Sequence, residues 1–258
     1  MQYLPLTLET PARNLALDEA LLDAAETGET NGRVLRVWEP TQHFVVLGRS
    51  SIAKKEVNLA ACSQERVSVL RRSSGGGTIV AGPGCLMYAV VLSTESAPHL
   101  RMVDSAHRFV LERMAEVFSG VPNLSMSREG ISDLVLHSTE SARATGHAKC
   151  SGNALRCKRN HLLYHGTLLY DFQLDRIARL LGIPQRQPDY RANRGHSDFV
   201  TNLPLQRDTL IDVLRDCWDA HTPLKQWPEQ RVAQLVRDRY DGNEDWMIFD
   251  ADKPHYQK

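Results

Sequence analysis

Apolar positions along this chain switch between two periods. From Pro11 to Thr27 they recur at helical spacing, with Leu15, Leu17, Ala20, Leu21, Leu22 and Ala25 on one face. Thr10 is placed to cap that helix, Pro11 to open it and Gly28 to end it. Val34 to Glu39 then alternates as a half-buried strand does, and Thr41 to Leu47 continues as a second strand closed by Gly48-Arg49. Asn58 to Glu65 reads as a helix leading into a β-prone run at Val67, Val69 and Leu70. Leu86 to Leu92 is almost continuously apolar, which suits a strand covered on both faces. Helical spacing returns from Asp104 to Phe118, where Ala106, Phe109, Val110, Met114, Val117 and Phe118 form a core stripe stopped by Gly120 and Pro122. A turn at Glu129-Gly130 leads into a strand through Val135. Later comes a strand carrying Lys149, a tight turn at Ser151-Gly152-Asn153, and a strand from Leu162 to Tyr170. Asp175 to Leu181 predicts a short helix ended by Gly182 and Pro184, and two more helices follow at Asp208 to Ala220 and Pro228 to Tyr240. Alternation of this kind permits an α+β architecture without singling one out. No linker, repeat or low-complexity segment interrupts positions 1–258, so a single domain is expected.

The stretch with most chemical content is VSVLRRSSGGGTIVAGPGCLMYAVVLS, Val67 to Ser93. It reads as strand, tight loop, strand. Three adjacent glycines, Gly75, Gly76 and Gly77, are costly to order and imply positive φ or bare backbone against a ligand. Glycine amides can form a concave anion site, and the neighbouring Arg71 and Arg72 carry the paired donors that bind phosphate or carboxylate. A hairpin turn flanked by solvated arginines is the plainer alternative. The stretch is neither a P-loop, lacking Gly-Lys-Ser/Thr, nor a Rossmann fingerprint.

Composition narrows the partners. The 31 basic and 31 acidic residues cancel, so nothing global points to nucleic acid or a membrane surface. No apolar run is long enough to span a bilayer, and MQYLPLTLET lacks the layout of a signal peptide. Five scattered cysteines fit a reducing, cytoplasmic setting, and none forms a zinc-ligand pattern.

The glycine stretch resembles the signature of the lipoate–protein ligase and octanoyltransferase family, which is related to biotin–protein ligases. Arg71, Arg72, Ser74, Gly75, Gly76, Gly77, Gly82 and Gly84 stand where that pattern wants them. A second block resembles the family's Lys-x-Ser-Gly-x-Ala element followed by His-Gly-Thr-Leu-Leu; here Lys149, Ser151, Gly152, Ala154, His165, Gly166, Thr167, Leu168 and Leu169 match. Two positions depart: Ala81 stands where a His is usual, and Ser132 replaces the Asn of an Asn-Asp-Leu element.

The resemblance implies a class II aminoacyl-tRNA synthetase/biotin synthetase-like fold, a mixed and mostly antiparallel sheet with packed helices. It implies ATP-dependent activation of lipoate or octanoate to an acyl-adenylate, then transfer to a lysine of a carrier domain. Such carriers are the lipoyl domains of 2-oxoacid dehydrogenases and the glycine-cleavage H protein. It makes Lys149 the catalytic lysine, and Asp133 the acidic residue near nucleotide and Mg²⁺. It makes Arg71, Arg72, Ser74, Gly75, Gly76, Gly77, Gly152, Ala154, His165, Gly166 and Thr167 substrate-binding. A fixed ammonium among glycine amides would neutralise charge on phosphate and acyl oxygens without reorganising. Arg191, Arg194 and His196 are placed to touch substrate or acceptor, with solvated loop charges as the plainer alternative.

The transferases of the family instead move octanoate through a cysteine thioester. One type carries that cysteine three residues before the His-Gly pair, where this chain has Leu162; another carries it in the loop before the strand at Leu134, where this chain has none. Cys150 adjoins Lys149, but neighbours on a strand point to opposite faces. The expectation is therefore a ligase, with an acyltransferase or a non-catalytic carrier adaptor as alternatives. Because no separate accessory domain is legible, a second subunit is a possible partner.

Overall fold

The computed structural model describes residues 1–137, 146–182 and 188–253. Its elements in chain order are β1 (Gln2–Pro5), α1 (Pro11–Thr27), β2 (Val34–Trp38), β3 (Phe44–Leu47), α2 (Ala53–Glu56), α3 (Leu59–Gln64), β4 (Ser68–Arg71), β5 (Ile79–Ala81) and β6 (Cys85–Ser93). Then come α4 (Val103–Ser119), β7 (Met126–Glu129), β8 (Asp133–His137), β9 (His147–Cys157), β10 (His161–Leu169), α5 (Asp175–Leu180), α6 (His196–Phe199), α7 (Arg207–Cys217), β11 (Thr222–Pro223), α8 (Glu229–Arg239) and β12 (Met247–Phe249). The eight-stranded sheet runs β11-β1-β2-β6-β10-β9-β8-β7, and a four-stranded sheet runs β12-β4-β3-β5. Parallel pairing occurs at β11–β1–β2 and at β3–β4, while the remaining named pairs are antiparallel. This is the mixed, mostly antiparallel α+β arrangement expected. Among the described residues no helix is long and apolar enough to cross a membrane.

The large sheet separates two cores. On one face Val34, Met87, Ala89, Val91, Leu163 and Leu169 pack against α1 and the small sheet; on the other Leu35, Tyr88, Val90, Leu162, Tyr164 and Leu168 pack with α4 and α7. Residues two apart on a strand share a face, so this division follows from the pleat. Phe109 departs from the expected α4 stripe. It is partly exposed and meets His99 and Trp218 at the rim, while His107 takes a buried position and bonds Tyr164.

Helix α1 forms as its caps predict: Thr10 accepts from the Arg13 amide, and Gly28 ends the helix at φ 79°. Yet it is buried all round, so Asp18, Glu19 and Asp23 lie inside the protein. Each is paired. Asp18 meets Arg36 at 2.5 Å, Glu19 meets Arg156 and Arg239, and Asp23 meets Lys158 and Arg231, both at 2.6 Å. The charge of Arg36 sits mid-strand and fully buried, so β2 is not the half-buried strand its alternation implied.

Burial alone would raise the Asp18 and Asp23 carboxyls. Arg36 and His165 outweigh it at Asp18, and Lys158 and Arg231 at Asp23, so both lie below the ordinary carboxylate range. A carboxyl depressed on folding contributes stability above its unfolded value of about 4 and loses it as pH falls through the folded value. Thermal unfolding should therefore worsen steeply below about pH 4. A melting temperature unchanged down to about pH 3 would remove these pairs from the stability of the fold.

Candidate functional site

The β9–β8 pairing contains an irregularity that decides where Lys149 points. Leu134 lies opposite Ser151 but Val135 lies opposite Lys149, so Cys150 is an extra residue. The bulge moves Lys149 to the face that carries Asp133, Gly152 and Ala154. In a regular strand it would share a face with Ser151 and Asn153. On β10, His165 lies opposite Ala154, and Thr167 follows on the same face. Lys149, Asp133, Gly152, Ala154, His165 and Thr167 thus come together on the α1 side of the sheet. The Lys149 ammonium pairs with Asp133 at 2.7 Å, and its side chain lies over Gly152, 3.1 Å from where a Cβ would stand. The Gly152 amide donates to Thr167 Oγ1 at 3.3 Å.

The glycine loop settles on this same face. It is no hairpin turn, because β3 lies between β4 and β5 in the small sheet. The segment from Arg72 to Thr78 instead crosses the end of β3 and extends toward β9 and β10. Ser74 Oγ lies 2.6 Å from His165 Nε2, and a Cβ on Gly76 would meet that of Ala154 at 3.5 Å. Gly76 adopts φ 85°, which explains one glycine by conformation. All three glycines are exposed, and among the described residues no acceptor takes their amides. A lysine ammonium and a run of bare amides therefore border one stretch of strand, two residues apart at Gly152 and Ala154.

Both arginines are engaged by carbonyls of the protein itself. Arg72 donates to Ser74 Oγ and to the carbonyls of Val46, Gly75 and Gly77, and Arg71 donates to the carbonyls of Gly48, Arg49, Ser51 and Asp245. Carbonyls left by the irregular loop need donors, and the guanidinium forks supply them. Burial lowers Arg72 to about 10, which leaves it cationic at neutral pH.

Gly166 is likewise not on the site face. A Cβ there would lie 1.8 Å from Asn153 Oδ1, so its bareness admits the Asn153 amide on the opposite side. That amide accepts from Tyr88 at 2.6 Å and donates to the Ser132 carbonyl at 2.8 Å, fixing the approach to Asp133. Gly166→Ala should cost about 1–3 kcal/mol through overpacking, read as a lowered melting temperature. An unchanged melt would show that the Asn153 amide is free to move. The turn expected at Ser151-Gly152-Asn153 does not form, since β9 runs unbroken and the bulge accounts for the small residues. In the second glycine loop, Gly82 leaves room for His43 and Gly84 for the Asp171 backbone, which is packing.

Asp133 receives the Tyr190 hydroxyl at 2.6 Å besides the Lys149 pair. Among the described residues no group of three His, Cys, Asp or Glu could hold a metal. Mg²⁺ commonly takes one or two carboxylates with phosphate oxygens and water, so a lone carboxylate fits a nucleotide-borne ion. Arg191 and Arg194 both lie over the Phe199 ring, and Arg191 is buried, so the solvated reading of these charges fails. His196 lies beside the Gly182 carbonyl. Pro184, expected to stop a helix, lies outside the described residues.

Sequence reasoning missed Asp18, Arg36, Asn153 and Tyr190. The Arg36 charge inside V-L-R-V-W was the available signal, since a charge there demands a partner. The partner is Asp18, which also lies 3.5 Å from His165 Nδ1. Ser74 is only 1% exposed, so its contact with His165 orders the loop and does not present a nucleophile. Cys150 is wholly buried, and burial pushes its thiol up to about 12; Cys62 and Cys217 rise to about 11, with burial again the first cause. Cys85 and Cys157 rise as well.

Residues 10–216 match the family model of the lipoyl protein ligase A/B catalytic domain. A putative lipoate-protein ligase A of Aeropyrum pernix is 30% identical over 217 residues, covering 84% of this chain and 74% of that one. An octanoyltransferase LipM of Brevibacillus brevis is 24% identical, covering 96% and 98%. The chain spans only 46% of a probable lipoate-protein ligase A of Mycoplasma pneumoniae, at 28% identity over 67% of its own length. Among solved structures, a bipartite lipoate protein ligase from Thermoplasma acidophilum, described with its E2 lipoyl domain, superposes with TM-score 0.76 at 21% identity, covering 95% of each chain. A lipoate-protein ligase A bound with ATP gives 0.73 at 20% identity, covering 96% of this chain and 98% of that one. At these identities the two structures establish the fold.

Proposed function

The chain belongs to the lipoyl protein ligase A/B catalytic-domain family, and from that premise we propose that it is a lipoate–protein ligase, with 1–258 acting as one catalytic domain. It activates lipoate or octanoate with ATP to an acyl-adenylate. It then passes the acyl group to a lysine of a lipoyl carrier, in the cytoplasm. The observation that carries this reading is that the Lys149 ammonium lies over Gly152 while the glycine loop, through Gly76, lies over Ala154 on the same strand face, with the Gly75–Gly77 amides open among the described residues. Charge develops on the acyl carbonyl and the α-phosphate when the carboxylate attacks, and fixed donors in that place lower the barrier. Lys149 is a compact donor able to serve both oxygens. The amides of Gly75, Gly76 and Gly77 approach the acyl carboxyl, and His165 and Ser74 hold them there. Arg71 and Arg72 act from behind as the frame of the loop. Asp133 would hold Mg²⁺ on the nucleotide phosphates, where the ion would neutralise their charge. Before that, the same carboxylate keeps Lys149 extended over Gly152.

An octanoyltransferase is the second reading, favoured by a LipM relative that aligns over 98% of its own length at 24% identity. It needs a thiolate, and the raised thiols disfavour one near Lys149. Incubation with lipoate, ATP and an apo lipoyl domain or H protein, followed by intact-mass analysis, tests the proposal. The carrier should gain a lipoyl group only when ATP is present. Octanoyl transfer from acyl carrier protein without ATP would overturn the ligase reading. Carrier binding without modification, with a candidate accessory subunit supplied, would replace it with an adaptor.

A further inference from the structure

We propose that Asp18 is a positioning residue for the glycine loop and acts through the tautomer of His165. The inference rests on the reading of that loop as the acyl-acid site. Asp18 itself does not touch the loop. Its carboxylate has two neighbours: Oδ1 accepts from Arg36 Nη1 at 2.5 Å, and Oδ2 faces His165 Nδ1 at 3.5 Å. A carboxylate has no proton to offer, so the imidazole proton belongs on Nδ1. Nε2 is then an acceptor, and it takes the Ser74 hydroxyl at 2.6 Å. With its proton so directed, Ser74 Oγ turns a lone pair to Arg72 Nε at 3.0 Å. The other Arg72 donors reach the Gly75 and Gly77 carbonyls.

One carboxylate in α1 thereby sets the sense of the Ser74–His165 bond, the one link in this chain that can reverse, because Arg72 only donates. The opposite tautomer would make Ser74 Oγ accept from both Nε2–H and Arg72 Nε–H, leaving the hydroxyl proton with no acceptor among the described residues, and would turn the bare Nδ1 lone pair to a carboxylate. Water cannot repair such a mismatch cheaply, because Asp18 is 2% exposed, Ser74 1%, Arg72 7% and His165 8%. Arg36 holds the far end with further donors to Asn14 and Leu6, so Asp18 does not depend on the loop for its own placement.

Nitrogen-15 NMR of histidine-labelled full-length protein tests this at neutral pH, with the His165 signals assigned by their loss in His165→Gln. The wild type should show the Nδ1–H tautomer. Ser74→Ala should keep it, and Asp18→Asn should shift the population toward Nε2–H. In the carrier assay Asp18→Asn should raise KM for the acyl acid at least tenfold and leave KM for the carrier unchanged. An Nε2–H or doubly protonated wild type overturns the proposal even if Asp18→Asn fails to fold. So does an altered tautomer with an unchanged acyl-acid KM. An inactive wild type with the Nδ1–H tautomer would instead remove the ligase reading, since the NMR measurement needs no substrate.

Discussion

Replacing Lys149 with alanine should reduce lipoyl transfer to the carrier by at least about 10²–10³-fold, the usual loss on removing one preorganised donor to a developing oxyanion. The fold should survive. The Lys149 side chain is 25% exposed and makes its ion pair at the surface of the site, so no cavity opens in either core. Asp133 keeps the Tyr190 hydroxyl as a partner. Lys149→Arg should not restore activity. A guanidinium is broad and planar, and the ammonium occupies a narrow place 3.1 Å from the Gly152 Cβ position. Intact-mass analysis gives the extent of transfer, and circular dichroism gives the fold. Retention of more than a tenth of wild-type activity in a folded Lys149→Ala protein would remove this amine from the chemistry.

Gly48→Ala should be the second most damaging change, although Gly48 lies outside both motif blocks. A Cβ at Gly48 would stand 2.0 Å from the Gly76 carbonyl oxygen and 3.0 Å from its carbon. The obstacle is backbone, so the glycine loop must move by about 1 Å, a displacement that commonly costs about 10²-fold in rate. The catalytic efficiency toward the acyl acid should fall by that factor while the melting temperature changes little. Gly75→Ala and Gly77→Ala make the control. Neither glycine has positive φ, and an added Cβ at either meets nothing within 4 Å. A methyl there leaves the loop in place and reports only on ligand contact. Equal activity in Gly48→Ala and wild type would mean that the Gly76 carbonyl is not part of the working geometry.

How much of this was legible in the residues depended on whether the deciding interaction was local. The limits of α1 follow from Thr10, Pro11 and Gly28, all within its own turn chemistry, and they stand as expected. The apolar run of β6 predicted a strand covered on both faces, and both cores meet there. Long-range pairing was not legible. Nothing between Arg72 and Thr78 announces that β3 separates the flanking strands, so the residues support a ligand-binding loop but leave a simple hairpin turn open as the alternative. The small residues Ser151 and Gly152 looked like a second turn, because a bulge shows itself only through the partner strand. Gly166 carried a family match but serves the far side of the sheet, where only the place of Asn153 reveals its purpose. The arginines are chemically suited to phosphate, and no residue pattern displays the carbonyls to which Arg71 Nε and Nη1 and the Arg72 guanidinium donate.

Strand β12 borders β4, and the Arg71 amide donates to the Trp246 carbonyl at 2.8 Å. The base of the glycine loop is therefore braced by the last-made strand of its sheet. During synthesis at several residues per second, the earlier strands leave the ribosome first and wait for that brace. On the ligase reading proposed above, a nascent polypeptide should stay unable to generate a reactive mixed anhydride until residue 249 has emerged, so a half-built chain would not release an acylating agent into its surroundings.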